Sequence, residues 1–425
     1  MGALQLTDLN GFYKEIYGDK LVNSIPDNAK LLKRVPFEKR KQLGEKYTFP
    51  EQISSEQGLT FNTDGSAFAL NDAVPFGTQN AELSGSEMVL RSQISYKAVK
   101  AGMNDKASFG NTLAKLTQNL TESHARAAEI AMWYGGVGLG RATAHTTNSA
   151  TSETLTISAA SWASGIWAGS KNMKVNFYAA DDSTLISSGA DAVFTITAVS
   201  FTDRKITVSG TATGCTALAA AVYTVGLYIY KNGAKGKEMY GVDKILTNTG
   251  TLFNIDAATY DQWLANTPTT TGDLSFSKII EAVVPPSGRG LQDKKVTAFL
   301  SPFQFTKLAS DAASLRKLDS SYKKGKYENG FDGATPGALT FYGVTGEITI
   351  EPHSIVKNGD VFILPLDTFV RVGAQDIEID KPNGGSDVFS TIAGYAGYEM
   401  RTYSDFGILT ETPSWCTKLT GFNAS

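Results

Sequence analysis

The first third of the chain constrains its fold most strongly. A charged arm runs from Met1 to about Lys46, an extended segment with turns follows to about Met103, and a long helix is predicted from Phe109 to Tyr134. Ordering the backbone of one residue costs about 1 to 2 kcal/mol, and only the burial of apolar surface offsets that cost. The arm and the extended segment reach outward before a compact core begins, so they need neighbours. This layout predicts one subunit of an assembly.

The composition allows a large core and leaves the chain close to neutral overall. The chain has 425 residues, enough for two or three domains of about 100 to 200 residues, and 42% of them are hydrophobic. The formal net charge of -3 and the pI near 5.8 give the chain as a whole no strong attraction for nucleic acid or anionic membranes. Basic patches remain possible locally.

Cysteine usage and hydropathy exclude several classes of protein. Cys215 and Cys416 lack the paired spacing of a zinc site and are expected to be buried thiols. No apolar run approaches the ~18 to 20 residues of a membrane span, and the first residues do not form a signal peptide. We therefore expect synthesis inside a cell without export, and no membrane partner.

The arm carries a basic strip from Lys30 to Lys46, with seven Lys or Arg against two acids. Two interpretations stay open, a solvated face or a docking strip for an acidic neighbour or for packaged nucleic acid. Interleaved apolar residues favour contact with protein. The contact candidates in the arm are Lys33, Arg34, Phe37, Lys39 and Arg40.

The segment from Lys46 to Met103 alternates aromatic or β-branched residues with polar ones, which predicts a long two-stranded excursion. Asp64-Gly65 is a hairpin-turn signal, and Glu87 to Lys97 is predicted to be a return strand. An isolated hairpin is marginally stable in water. We therefore expect four aromatic residues to lie on another chain: Phe49, Phe61, Phe68 and Phe76.

The predicted long helix carries an apolar stripe at spacings of three and four residues, from Phe109 to Tyr134, and Gly135-Gly136 should end it. His124 on this stripe is interpreted as a packing residue. From about His145 to Tyr230 the chain is rich in Thr, Ser and Ala, with short strands separated by turns, which predicts an inserted small β-barrel or sandwich.

After Met239 the pattern alternates helices and strands. The predicted helices are Ala257 to Leu264 with Asp256 as N-cap, Asp273 to Val284 stopped by Pro285-Pro286, and a helix after Ser301-Pro302. The predicted strands are Val296 to Leu300, Phe341 to Glu351, Val361 to Leu364, Thr368 to Val372, Thr391 to Thr402 and Gly407 to Glu411.

Some runs in the sequence look like catalytic or nucleotide-binding motifs, but they lack the structural context or the spacing that such motifs require. The glycine-rich run from Gly135 to Gly140 follows a helix, where a dinucleotide fingerprint must follow a strand, and the run from Gly233 to Glu238 lacks the spacing of a P-loop. The alternating acids Asp376, Glu378 and Asp380 could hold a hard cation, but a solvated strand face is the preferred interpretation. We expect no enzyme activity, cofactor or metal.

The order of these segments carries a resemblance. It comprises the basic arm (LLKRVPFEKRK), the aromatic loop (KYTFPEQISSEQGLTF through VPFG), a return strand, a long helix ending in glycine, an α/β region with SPFQFTKLAS, and a C-terminal β pair. In this order they resemble the major capsid protein of tailed double-stranded DNA bacteriophages, whose shell fold encapsulins share. The resemblance spans nearly the whole chain except the β-insertion.

The resemblance implies an α+β fold in six parts. They are an N-arm (1–45), an E-loop (46–82), a peripheral domain (83–144) with a spine helix (109–134), the inserted all-β domain (145–232), a mainly axial α/β domain (233–377), and a return to the peripheral domain (378–425).

The implied function is a structural subunit whose pentamers and hexamers form an icosahedral shell around the viral DNA. Implied partners are other copies of the chain, a separate scaffolding protein, a portal, a decoration protein, and packaged DNA through weak non-specific contacts. The implied location is the virion, and the host cytoplasm during assembly. Two alternatives are an encapsulin-like cellular shell and a carbohydrate-binding or hydrolytic β-protein that uses Trp162 and Trp167, although such tryptophans are more often core.

Overall fold

The computed structural model describes residues 29–38, 46–63, 65, 67–97, 106–310, 339–343, 346–380, 390–392 and 394–425. Its helices are α1 (Lys30–Arg34), α2 (Lys106–Tyr134), α3 (Ser164–Trp167), α4 (Ala212–Ala219), α5 (Val242–Leu246), α6 (Phe276–Gly288) and α7 (Pro302–Ser310). Short 3₁₀ turns lie at Gly189–Ala192, Asp261–Trp263, Leu366–Thr368 and Pro413–Trp415.

The first ten strands are β1 (Phe37–Glu38), β2 (Tyr47–Gln52), β3 (Thr78–Leu83), β4 (Ser86–Ser95), β5 (Gly140–Ser149), β6 (Ser152–Ile157), β7 (Lys174–Tyr178), β8 (Phe194–Ser200), β9 (Lys205–Ser209) and β10 (Leu227–Lys231). The others are β11 (Thr251–Leu252), β12 (Ile255–Asp256), β13 (Val296–Leu300), β14 (Leu339–Gly343), β15 (Gly346–Pro352), β16 (Val361–Leu364), β17 (Phe369–Ile379), β18 (Ser390–Thr391), β19 (Gly397–Thr410) and β20 (Thr417–Leu419).

The long helix α2 agrees with its prediction and begins three residues earlier, at Lys106. The side chains of Phe109 and Leu113 lie outside the described residues. The C-terminal turn is buried all round, with Met132 and Trp133 at 0% exposure. The helix ends as predicted, because Gly135 N–H bonds the carbonyl of Ala131 and Gly136 takes a left-handed φ of 78°.

Helix α2 packs on a sheet in which β1 runs parallel to β17, β17 antiparallel to β19, and β19 antiparallel to β4. Two separate strands were predicted in its last part, and the structure corrects this to the single strand β19. Ser404 and Asp405 are residue types that favour turns. The strand continues because its register with β4 is unbroken from Gly397 to Phe406 and the Ser404 hydroxyl bonds His124.

The β-rich insertion is a closed six-stranded barrel in the order β10-β5-β6-β9-β8-β7. Alternate residues point inward and fill it, and all of these are at most 1% exposed: Leu155, Ile157, Val175, Phe177, Phe194, Ile196, Ile206, Val208, Leu227 and Ile229. Helix α4, which was not predicted, contacts β5 and β6. Trp162 and Trp167 are core residues, 5% and 0% exposed, so they form no exposed platform for a sugar.

The remaining α/β part is a mixed sheet in the order β14-β15-β13-β16-β20, with α6 packed near β20 and α7 near β15. The segment predicted as one strand from Phe341 to Glu351 is instead the hairpin of β14 and β15. Gly343 pairs with Gly346 at its turn, and Gly346 has a left-handed φ of 107°. Two hydrophobic cores result. One joins α2, the barrel and the first sheet, and the other lies under α6.

Two helix predictions in this part are corrected. Pro285 and Pro286 lie inside α6, which continues to Gly288. Pro286 has no N–H to offer the carbonyl of Ala282, but the hydroxyl of Thr417 donates to that carbonyl at 3.0 Å, so the helix can continue. The helix predicted from Ala257 to Leu264 is replaced by a turn at Asp256 and a 3₁₀ turn, since the Asp256 side chain bonds the Ala258 amide at 3.1 Å.

Within the part of the chain that the structure describes, no helix is both long and apolar enough to cross a membrane.

Candidate functional site

The arm is held to the body by a buried carboxylate on α2. Glu129 is 0% exposed and accepts hydrogen bonds from the backbone amides of Leu31 and Leu32, in the first turn of α1, at 2.9 and 2.7 Å. It also accepts from the indole of Trp133 at 3.0 Å, and its Oε1 lies 3.1 Å from Nε2 of His353. A carboxylate with four donors is fully compensated despite its burial. Glu129 therefore ties the arm, the helix and the α/β sheet together.

The basic strip of the arm is partly neutralised within its own chain. Arg34 binds both carboxylate oxygens of Glu351 at 2.9 and 2.8 Å. Phe37 packs edge-on against Phe406 with ring centroids 6.4 Å apart, and β1 lies on the edge of the first sheet. Lys33 is exposed on α1. Two other candidates, Lys39 and Arg40, lie outside the described residues.

The excursion predicted after the arm is a hairpin whose base is buried. Strands β2 and β3 are antiparallel. Tyr47 lies opposite Leu83 at one end of the pairing, and Gln52 lies opposite Thr78 at the other. Phe49 is 3% exposed, so it packs in the core of its own chain. This corrects the expectation that another chain covers it. Asp64 lies outside the described residues, and Gly65 has a left-handed φ of 67°.

Beyond this base the chain forms the distal loop, defined here as residues 53–77, which carries an uncovered apolar surface. One isolated bridge, between Gln57 and Val74, closes it partway along. The exposed apolar residues, with the exposed fraction of each, are Leu59 (73%), Phe61 (86%), Phe68 (50%), Leu70 (78%), Val74 (50%) and Phe76 (50%). Six of the fourteen large apolar side chains that are exposed among the described residues lie on this one loop. Three of the four aromatic candidates thus lie on it.

A second hairpin fixes the angle of the base. Phe253 and Asn254, at its turn, both have left-handed φ, 53° and 68°. The carbonyl of Phe253 accepts from the amide of Glu82 at 2.9 Å, and the Asn254 amide donates to the carbonyl of Asn80 at 3.3 Å. Sequence reasoning missed this hairpin, because β11 and β12 have two residues each. The Lys46–Glu82 ion pair at 2.6 Å lies at the same place.

The barrel joins the body over a buried charge network that the sequence did not indicate. Lys418 pairs with Asp243, and with Asp360 at 3.3 Å, and the Tyr134 hydroxyl donates to Asp360 at 3.2 Å. Lys357 Nζ donates to the carbonyl of Gly138 at 2.9 Å. Burial lowers the pKa of Lys357 to about 8, although the negative charges of Asp243 and Asp360 act to raise it. A cavity of about 410 Å³ lies beside the network.

Burial opposes the positive charge of Lys418, but the two aspartates outweigh it and raise the pKa of Lys418 to about 12. The lysine therefore stays charged between two carboxylates. Removing one member of such a buried network leaves an uncompensated charge, which costs about 3 to 5 kcal/mol. The network therefore holds α2, α5, β20 and the loop after β15 together, next to the point where the chain enters the barrel.

His124 is a packing residue, as predicted. It is 1% exposed, and its ring nitrogens each lie 2.8 Å from a hydroxyl, those of Thr402 and Ser404. Burial, assisted by the charge of Lys231, lowers the pKa of His124 to about 4. The folded state therefore holds the neutral ring, and the unfolded state takes up a proton below its ordinary pKa of 6.5.

This pKa predicts acid sensitivity. Stability from neutral His124 is fully present above about pH 6.5 and is lost as pH falls toward 4, because only the unfolded state gains a proton. Between pH 7 and pH 5 the loss should be about 2 kcal/mol. Urea unfolding at both pH values, for the wild type and His124→Gln, checks this. Equal pH dependence in both proteins would contradict the assignment.

The acidic strip considered as a cation site is partly used for structure. Asp376 pairs with Arg371 at 2.7 Å, and Gln375 donates to Glu378 at 2.7 Å. Among the residues that the structure describes, no three His, Cys, Asp or Glu side chains lie close enough together to hold a metal ion.

Comparison with known proteins identifies the fold. No protein-family profile and no curated protein matches the sequence. The structure is similar to the capsid asymmetric unit of cyanophage A-1(L), with a TM-score of 0.53 and 9% identity over 99% of both chains. It is also similar to the capsid of Myoviridae phage XM1, with a TM-score of 0.47 and 8% identity over 99% of both chains.

The encapsulin of the SrpI complex from Synechococcus elongatus gives a TM-score of 0.44 at 9% identity, over 100% of this chain and 98% of the other. The similarity to the cyanophage A-1(L) capsid covers 99% of this chain. The mixed helix and strand architecture of this chain is therefore the capsid fold that cyanophage A-1(L) displays.

Proposed function

We propose that this chain is the shell-forming subunit of a tailed-phage capsid. Its copies form pentamers and hexamers, which close into an icosahedral shell around double-stranded DNA. The observation that carries the proposal is the distal loop, which projects apolar residues into water from a rigid base, in a chain with a capsid fold.

A loop of this kind is stabilised by assembly. Its exposed apolar residues gain about 1.5 to 3 kcal/mol each when they are fully buried, and their own chain leaves them in water. An adjacent copy can cover them, and a ring repeats the same contact at every subunit. The buried base, with Tyr47 at 2% and Phe49 at 3% exposure, holds the loop in a fixed direction, which lowers the entropy cost of that contact.

The parts of the chain take the roles that the sequence resemblance implies. Residues 1–45 are the N-arm, 46–82 the E-loop, 83–144 and 378–425 the peripheral domain, and 233–377 mainly the axial domain, with 145–232 as the inserted β-domain. The anchoring of α1 by Glu129 supports an arm that leaves the body at a fixed point. Lys33, Phe61, Phe68 and Phe76 are the described candidates for contacts between subunits.

The proposed role is structural and includes no catalysis. The further partners would be a separate scaffolding protein, a portal and a decoration protein, with DNA bound by weak non-specific contacts. The protein would be located in the virion, and in the host cytoplasm during assembly.

Electron microscopy of the purified, recombinant chain tests the proposal. We expect capsomer rings or uniform closed shells at micromolar concentration, alone or with a co-expressed scaffold. Monomers under every condition would overturn it. Shells that form in the producing cell around a protein cargo would favour the encapsulin-like alternative.

A further inference from the structure

A groove of about 220 Å³ lies between the barrel and the α/β part of the chain. Its lining includes Trp162, Phe201 from the turn between β8 and β9, and Phe303 from the first turn of α7. Phe201 and Phe303 are 49% and 40% exposed, and they are the two phenylalanines among the eight exposed large apolar residues that the structure describes outside the distal loop. An apolar cavity of about 150 Å³ already holds a benzene molecule, so the groove has room for an aromatic ring.

Two polar groups of the same groove lack partners. Arg204 belongs to the same turn as Phe201, and its buried Nε has no hydrogen-bond partner among the described residues. None of the ion pairs between described residues includes Arg204. The buried Oγ of Ser354 is also without a partner in the described part of the chain.

These groups indicate the chemistry of the partner that the groove would accept. A cation that is partly withdrawn from water is costly unless an opposite charge meets it. An arginine pairs best with a carboxylate, to which it can donate two parallel hydrogen bonds. The groove therefore suits a segment that brings apolar side chains together with a carboxylate.

The distal loop has this combination of side chains. Residues 53–77 include three acids and no Lys, Arg or His. Asp72 is exposed, and it stands at alternate spacing among four apolar residues that are each at least 50% exposed: Phe68, Leu70, Val74 and Phe76. Alternate residues of an extended segment share a face, so the carboxylate of Asp72 lies within an apolar stripe. The loop and the groove are complementary in charge, and both expose aromatic rings.

We propose that the groove binds the distal loop of a neighbouring copy of this chain. Apolar side chains of the loop lie between Phe201 and Phe303, and the carboxylate of Asp72 pairs with Arg204. The inference rests on the proposed function and adds to it the surface that receives the loop. Two different surfaces of the chain meet in this contact, so each copy gives one loop and receives another, as a ring of identical subunits requires.

Charge reversal in the full chain tests the contact. Arg204→Glu should raise the protein concentration needed for particle formation about 10-fold or more, because it places like charges together, and so should Asp72→Arg. The two substitutions combined restore an ion pair of opposite polarity and should bring that concentration to within about 3-fold of the wild type. Lys171→Glu, at an exposed basic residue before β7, is the matched control and should assemble normally. Rescue by the second substitution separates a lost contact from a damaged fold.

Disulfide crosslinking locates the contact directly. The native thiols of Cys215 and Cys416 are buried, so added cysteines react selectively. Phe68→Cys and Leu70→Cys are each combined with Phe303→Cys, and at least one of the two pairs should link different chains in oxidised particles, giving ladders on non-reducing gels. Leu70→Cys with Val222→Cys, at an exposed residue of the barrel region, is the control and should leave the chains unlinked.

The failure of this inference and the failure of the proposed function give different results. Wild-type particles with normal assembly of Arg204→Glu, with no rescue in the double charge variant, or with both cysteine pairs unlinked or linked only within single chains, would overturn the inference alone. A wild-type chain that forms no particles under any condition would overturn both.

Discussion

The double substitution Phe61→Ser and Leu70→Ser is expected to abolish particle formation while the subunit stays folded. Both side chains are largely in water, 86% and 78% exposed, so the free subunit should change in stability by less than about 0.5 kcal/mol. In an assembled ring each would lose the free energy of burial, about 1.5 to 3 kcal/mol. Together they should weaken each contact between subunits by about 100-fold or more.

Size-exclusion chromatography, electron microscopy and circular dichroism separate the two effects. The variant should elute as a folded monomer or small oligomer, with the wild-type spectrum and melting temperature. Val222→Ser is the matched control, because Val222 is 68% exposed but lies on the barrel, and it should assemble normally. Normal particles from the double variant would refute the assembly role of the distal loop.

The substitution Glu129→Ala should cause the largest loss of stability in the subunit itself. It removes the acceptor of two backbone amides, the Trp133 indole and the His353 ring, all at buried positions. Each buried donor left without a partner costs about 1 to 3 kcal/mol, and partial relaxation should limit the total to about 3 to 5 kcal/mol. The start of α1 should come away from α2.

Urea unfolding with hydrogen exchange measures both consequences. The amides of Leu31 and Leu32 should exchange faster in Glu129→Ala than the rest of the core. Glu122→Ala on the same helix is the control, since its carboxylate accepts an exposed bond from Gln118, and it should cost less than about 1 kcal/mol. Unchanged exchange at Leu31 and Leu32 would show that Glu129 does not anchor the arm.

The outcomes of the sequence predictions follow from the range of the interactions involved. Helix α2 and its glycine stop, the strand from Val296 to Leu300, and the Ser301 cap before α7 depend on neighbours within about four residues, and all were predictable. The continuation of α6 through Pro286 was not, because the donor that allows it, Thr417, is distant in sequence.

The surfaces proposed for assembly show the same division between local and distant interactions. An aromatic, extended loop after a basic arm could be recognised from residue types alone. Which aromatic residues face outward could not, since Phe49 and Phe61 belong to the same alternating segment and only the packing of β2 buries the former. Glu129 was missed as well, for its partners lie 98 and 224 residues away.

The sequence by itself determined that arm, hairpin, long helix, β-rich insertion and α/β part follow one another, because periodicity and turn residues act locally. Only the tertiary structure decided that six strands close into a barrel, that β19 is one strand, and that Asp405 lies opposite Glu87 in the sheet. Those features depend on the register between strands far apart in the chain. A shift of one residue would turn each of these side chains to the opposite face of the sheet.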